Sequence, residues 1–174
     1  TLLDLHFDNY FWQVFVPQKY GQQHGLNLEE SKAALYPRFH AQAGSLNWYC
    51  LDHWSDDLKL DIVALKHELQ HLIRPRADAM LFLQALAKSD KHVWMVTNAH
   101  PDALKLKLRV TNIAPYFDHI MSSHQFGKPK EHIEFWQALQ HHLHFNPKRS
   151  LFIDDSEAVL ATADKFGIGH ILSI

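Results

Sequence analysis

The sequence predicts an α/β fold: a Rossmann-like core of parallel strands with helices on both faces, preceded by a long segment that is helical throughout. Three observations carry that prediction. From Arg76 onward short apolar runs alternate with amphipathic stretches, the pattern of a doubly wound parallel sheet. Several of those runs end in polar residues, and chemistry in such sheets gathers at the carboxyl ends of the strands. Residues 9–74, in contrast, are rich in aromatics and show apolar spacing of helical rather than strand period.

Within that first stretch, Asn27 followed by Glu30 has the form of a capping box at a helix start. Asp61 through Ile73 keeps apolar residues at helical spacing until Pro75, since a residue before proline avoids helical backbone. A helix is expected over Asp78–Lys88, with Met80, Leu81, Leu83 and Leu86 on its apolar side. Val93–Val96 reads as a buried parallel strand and Pro101–Arg109 as a helix with proline in its first turn. His119–Ser122 follows as a strand, Lys130–Leu143 as a helix carrying Ile133, Trp136, Leu139 and Leu143, and Leu151–Ile153 as a strand. Glu157–Phe166 is a helix closed by Gly167, and His170–Ile174 a last strand.

Composition excludes several classes of function. The formal net charge of −2 leaves no basic footprint for a nucleic acid polymer or an anionic membrane. No apolar run approaches the ~20 residues needed to cross a bilayer. A single cysteine, Cys50, allows no intrachain disulfide and points to a reducing compartment, the cytoplasm. Fifteen histidines are many for 174 residues, but number alone does not separate metal binding from a histidine-tolerant surface.

The strand ends hold the candidate chemistry. Leu151-Phe152-Ile153 runs into Asp154-Asp155, adjacent carboxylates that repel unless a positive partner sits beside them. Mg2+ suits such a pair; helix capping by Asp154, with Glu157 three residues on, explains the segment equally well. Val93–Val96 leads into Thr97-Asn98 and a proline-started helix. A hydroxyl, an amide and a helix N-terminus together suit a phosphate, and they also suit an ordinary strand-to-helix turn. Gly127-Lys128-Pro129-Lys130 offers two lysines to neutralise bound phosphate.

Taken in order, the apolar strand ending in Thr97, the Gly-x-Pro-Lys segment and the apolar strand ending in Asp154-Asp155 resemble motifs II, III and IV of the haloacid dehalogenase-like (HAD) superfamily. Thr1–Trp12, Leu46–Asp52, Thr97–Pro101 and Phe152–Ala158 are similar to its purine 5′-nucleotidase subgroup, which acts on GMP and IMP. The resemblance covers nearly the whole chain. It implies a core formed by residues 1–8 and 75–174 and a helical cap over residues 9–74 that closes on the site.

It further implies a magnesium-dependent phosphatase working through an aspartyl-phosphate. Thr97 would bind a phosphoryl oxygen, Lys130 (in preference to Lys128) would offset charge, and Asp155 with Asp154 would hold Mg2+. Asn98, Asn9, Tyr10 and Trp48 would contact substrate, with Tyr49 a further candidate, although each aromatic also suits the packing of the cap itself. Thr1 aligns with the threonine of the family's Asp-x-Asp-Gly-Thr, so both catalytic aspartates, and the strand that bears them, are expected just upstream of these residues. Asp4-Leu5-His6 is not an Asp-x-Asp.

Two other readings compete. His67-Glu68-Leu69-Gln70-His71 is a literal H-E-x-x-H, which on a helix would set two imidazoles one turn apart for a zinc peptidase. The longer metzincin form fails at Arg74 and Ala77, and Asp90 would have to be the third ligand. The other reading is a phosphate-binding pseudoenzyme without a nucleophile. The His141-His142-x-His144 cluster reads as a solvated helix end.

Overall fold

The computed structural model describes residues 2–174. The N-terminal half is helical. Helix α1 (His6–Tyr10) continues through a π-helical turn at Phe11–Phe15 into α2 (Val16–His24). Pro17 explains the π-turn: its ring has no N–H to donate and would crowd the carbonyl four residues back, so the ladder widens just ahead of it. Gly25, with φ of 70°, ends α2 in the left-handed conformation that glycine adopts without strain.

The chain then turns into α3 (Leu28–Ala41), whose start carries both bonds of the expected capping box. The Glu30 N–H donates to Asn27 Oδ1 at 3.0 Å and the Asn27 N–H to Glu30 Oε2 at 2.8 Å. Gly21 lets the two helices meet closely, because a Cβ there would lie 2.6 Å from both the Leu26 carbonyl oxygen and Ser31 Oγ. Helices α4 (Leu51–Leu58) and α5 (Ile62–Glu68) complete this half. Trp54, Phe11, Leu35, Leu58 and Ile62 form its fully buried centre, with edge-on ring contacts among Trp12, Phe39 and Trp54.

The second half alternates as expected. After α6 (Ala79–Ala87) come β1 (Trp94–Thr97), α7 (Pro101–Thr111), β2 (His119–Ser122), α8 (Ile133–Leu143), β3 (Leu151–Asp154), α9 (Glu157–Phe166) and β4 (His170–Ser173). All strand pairing here is parallel: β1 with β2, Thr97 opposite Ser122, and β3 with β4, Asp154 opposite Ser173. Among the described residues no ladder joins the two pairs, and the parallel strands form two ribbons. The helices α8 and α9 pack Phe135, Trp136, Leu139, Val159 and Ala163 against them. The two halves touch through α7, whose Ala103 and Leu106 join the aromatic cluster of the first half.

Three local expectations need correction. The helix after Pro129 begins at Ile133, so Lys130 lies in the turn ahead of it, and the bulkiest residue buried there besides Trp136 is Phe135. Leu81 is 71% exposed; Ala79 and Leu83 are what α6 buries. The helix through His67-Glu68 stops at Glu68 and tightens into a 3-10 turn over Gln70–Leu72.

Candidate active site

The carboxyl ends of β1 and β3 are brought together by Lys130. Its backbone N–H donates to Asn98 Oδ1 at 2.9 Å, and its Nζ donates to Asp154 Oδ2 at 2.5 Å. Both partners of that ion pair are buried, Lys130 at 7% and Asp154 at 5% exposure. A pair so far from water holds only when remaining polar atoms are also satisfied. Here they are: Asp154 Oδ1 accepts the N–H groups of Asp155 and Ser156, each at 3.0 Å. Of the two lysines, Lys130 is the one held at these strand ends, while Lys128 is exposed.

Asp154 does not cap α9. That role falls to Ser156, and the Asp154 carboxylate instead organises the turn between strand and helix. Asp155 is exposed at the same turn. The donor set of the two residues is all carboxylate oxygen, with Asp154 fixed in orientation, which fits a hard divalent ion such as Mg2+.

At the end of β1, Thr97 Oγ1 accepts the Ala99 N–H at 3.1 Å, which fixes the hydroxyl and leaves its hydrogen for an acceptor. Asn98 is buried and used at both ends of its amide, the Nδ2 donating to Glu131 Oε2 at 2.9 Å. Glu131 in turn accepts the Tyr49 hydroxyl at 2.6 Å. Burial and this bond to Glu131 push the Tyr49 phenol well above its ordinary range, so it stays a donor. A chain of contacts thus runs from the helical half through Tyr49 and Glu131 to Asn98 and Lys130.

Glu131 was not singled out from the sequence. Its only signal is its place directly after Lys130, where a lone glutamate before a helix reads as solvated. Of the other substrate-contact candidates, Asn9 is exposed, Tyr10 is half-buried with its ring stacked 6.2 Å from that of His6, and Trp48 is 37% exposed. The Trp48 carbonyl accepts Trp54 Nε1–H at 3.0 Å. Among the described residues, no hydrogen bond ties these three to the Lys130 cluster.

The H-E-x-x-H segment does not form a zinc site. With the α-helix ended at Glu68, His67 and His71 lose the one-turn spacing that the motif requires, both are exposed, and His67 Nδ1 lies 3.4 Å from Arg109. Asp90 pairs with its neighbour Lys91 instead.

Sequence comparison decides the family. A model of the haloacid dehalogenase-like hydrolases matches residues 5–167. The chain belongs to the haloacid dehalogenase-like hydrolases. It is 43% identical over all 174 residues to the GMP/IMP nucleotidase YrfG of Escherichia coli (strain K12), covering 78% of that protein, and equally to its counterpart in Shigella flexneri. Solved HAD structures share the fold. A HAD phosphatase from Thermococcus onnurineus superposes with a TM-score of 0.84 at 18% identity, spanning 99% of this chain and 81% of that one. An L-2-haloacid dehalogenase from Xanthobacter autotrophicus gives 0.66 at 16% identity, spanning 100% and 73%. Among the described residues of this HAD hydrolase no helix is long and apolar enough to cross a membrane.

Proposed function

We propose that this HAD hydrolase is a magnesium-dependent phosphomonoester hydrolase acting on a purine nucleoside 5′-monophosphate, GMP or IMP. The observation that carries the reading is Lys130, held on Asp154 and Asn98 at the meeting of two strand ends. A phosphate between those ends would meet the Thr97 hydroxyl, the N-terminus of α7 and the Lys130 ammonium. These are donors fixed before substrate arrives, the condition under which charge stabilisation lowers a barrier most.

Mg2+, held by Asp155 and Asp154, would supply further neutralisation of phosphoryl charge. The family's aspartyl-phosphate route uses an Asp-x-Asp pair, and neither Asp4 nor Asp8 stands in one. The Asp4 carboxylate accepts the His6 N–H, and Asp8 is engaged by Lys66 and Lys107.

Residues 9–74 act as the cap over a core of residues 1–8 and 75–174, and the Tyr49–Glu131 bond fastens cap to core near the substrate. The 43% identity to a GMP/IMP nucleotidase supports the purine preference, and the lone cysteine suits a cytoplasmic setting.

The test is phosphate release by the intact protein from the four ribonucleoside 5′-monophosphates and IMP, with and without Mg2+. Release from GMP and IMP that needs Mg2+ supports the reading. Equal rates on pyrimidine nucleotides would remove the purine assignment. Nucleotide binding without any release would leave a binding protein.

A further inference from the structure

Beside this cluster lies a second group of side chains that the phosphatase reading does not use. Cys50, the last residue before α4, His100, the residue before α7, and His124, just after β2, bring one ligand atom each within 4.8 Å of one another. His100 is 8% exposed and its ring meets that of His124 edge-on at 5.0 Å. His124 Nε2 is buried and finds no hydrogen-bond partner. A buried ring nitrogen without a partner leaves its desolvation uncompensated, so in a native structure it calls for a ligand or a reason.

We propose that Cys50, His100 and His124 bind a zinc-class divalent ion that ties the cap to the core. One thiolate and two imidazoles are the donors that such an ion prefers over Mg2+. Tetrahedral zinc would place these atoms ~3.3–3.6 Å apart, given Zn–N of about 2.0 Å and Zn–S of about 2.3 Å. Small side-chain rotations close the present group to that size.

The surroundings suit the ion as well. Burial, with His100 nearby, holds His124 below the usual histidine range, which favours the neutral form that can ligate. The backbone of Asn98 acts on the same ring as a hydrogen-bond acceptor, as outer groups do for metal-binding histidines. Asp52 and Asp102 lie 3.5 and 3.6 Å from the two nitrogens of His100. His100 Nδ1 also accepts the Asp102 N–H, a long bond of 3.4 Å that an ion on that nitrogen would displace. Cys50 and Asp52 belong to the helical half while His100 and His124 come from strand-end loops of the other half. An ion here would hold the cap in one position only two residues from Asn98.

The proposal does not depend on the phosphatase assignment, and its test is spectroscopic. The intact protein, stripped of metal and then saturated with Mg2+ to fill the carboxylate site, is titrated with Co2+. A thiolate-to-cobalt charge-transfer band saturating at one equivalent, displaced by Zn2+, is the expected result. Cys50→Ser should abolish the band, and His124→Gln should keep it while weakening Zn2+ binding by about 10-fold or more. Circular dichroism of each metal-free variant checks that the fold is kept. Absence of the band in the unaltered protein, or Zn2+ affinity unchanged in both variants, would overturn the site.

Discussion

Two lysines are buried in this protein, and they are buried differently. Lys130 has one acidic partner to itself, at 2.5 Å, and that partner's other oxygen is held by two backbone N–H groups. Lys66 shares Asp8 with Lys107 and takes the longer bond, 3.3 Å against 2.5 Å. The rest of its surroundings is aromatic: its Nζ lies 4.7 Å from the Phe7 ring centre, 4.1 Å from that of Phe11 and 5.6 Å from that of Trp12. Burial lowers the Lys66 pKa to about 8, with Asp8 opposing the shift and Lys107 adding to it. Asp8 moves the other way. Burial raises its pKa, but Lys107 and Lys66 together outweigh that, and the carboxyl ends below its usual range. The cluster therefore stabilises its acid and strains one of its bases. The Lys130 pair sits where strand ends converge, and the Lys66 group sits inside a helical core, where packing rather than chemistry accounts for it.

The largest effect that would sharpen this contrast comes from removing the unshared acid. Asp154→Asn leaves Lys130 buried without a counter-charge, and loss of one partner from a buried pair costs about 3–5 kcal/mol. Denaturant unfolding should show that loss as a lower midpoint at unchanged slope. A shift near zero would mean that water reaches Lys130, and the contrast with Lys66 would fail. Next in size is Lys130→Met in the intact enzyme. Loss of a fixed donor to developing phosphoryl charge should lower kcat/KM by about 10²–10³, or about 3–4 kcal/mol. Steady-state kinetics on GMP with Mg2+ would read it. Lys128→Met should change little, because that side chain is exposed.

The same contrast explains what the sequence could reveal. Thr97 and Asp154 end short apolar runs and Lys130 follows a proline in the turn between them, so their convergence in the fold was anticipated by their order along the chain. The alternation of strands and helices was legible too, as was the capping box at Asn27. Lys66 was not. A lysine on a helix with apolar neighbours reads as a solvated end, and only folding shows that α1 and the π-helical turn after it lay three rings over it. Glu131, His100 and His124 stayed hidden for a related reason: each gains its meaning from a partner far away in sequence, such as Tyr49 or Cys50. The H-E-x-x-H match misled because spacing alone does not hold a helix.

The Lys66 cluster carries its own pH signature. A lysine whose folded pKa is about 8, below its unfolded value near 10.5, binds its proton more weakly when folded. Its charge therefore opposes folding at neutral pH, and that cost is relieved as pH rises from about 8 toward 10.5. Lys66→Met keeps an unbranched side chain among the rings and lacks the titration. Relative to that variant, the unaltered protein should gain about 2 kcal/mol of stability between pH 7 and pH 10. Comparing the two proteins cancels the other groups that titrate in this window. A constant difference across the range would show that Asp8 holds Lys66 as firmly as Asp154 holds Lys130.

The smallest effect tests whether the two halves communicate at all. Tyr49, in the helical half, reaches the Lys130 neighbourhood through its 2.6 Å bond to Glu131. Tyr49→Phe removes one hydroxyl and little packing, so stability should fall by only about 1 kcal/mol. Glu131 keeps its bond from Asn98, so the strand ends should stay in place. If the bond fastens the cap during turnover, KM for GMP should rise several-fold while kcat changes less, because the lost interaction is made equally in ground and transition states. Equal loss in kcat and kcat/KM would instead place Tyr49 on the reacting phosphate. No kinetic change would make the bond a packing detail, with the cap held by its other contacts, such as Gly44 with His132 and Arg109 with Gln70.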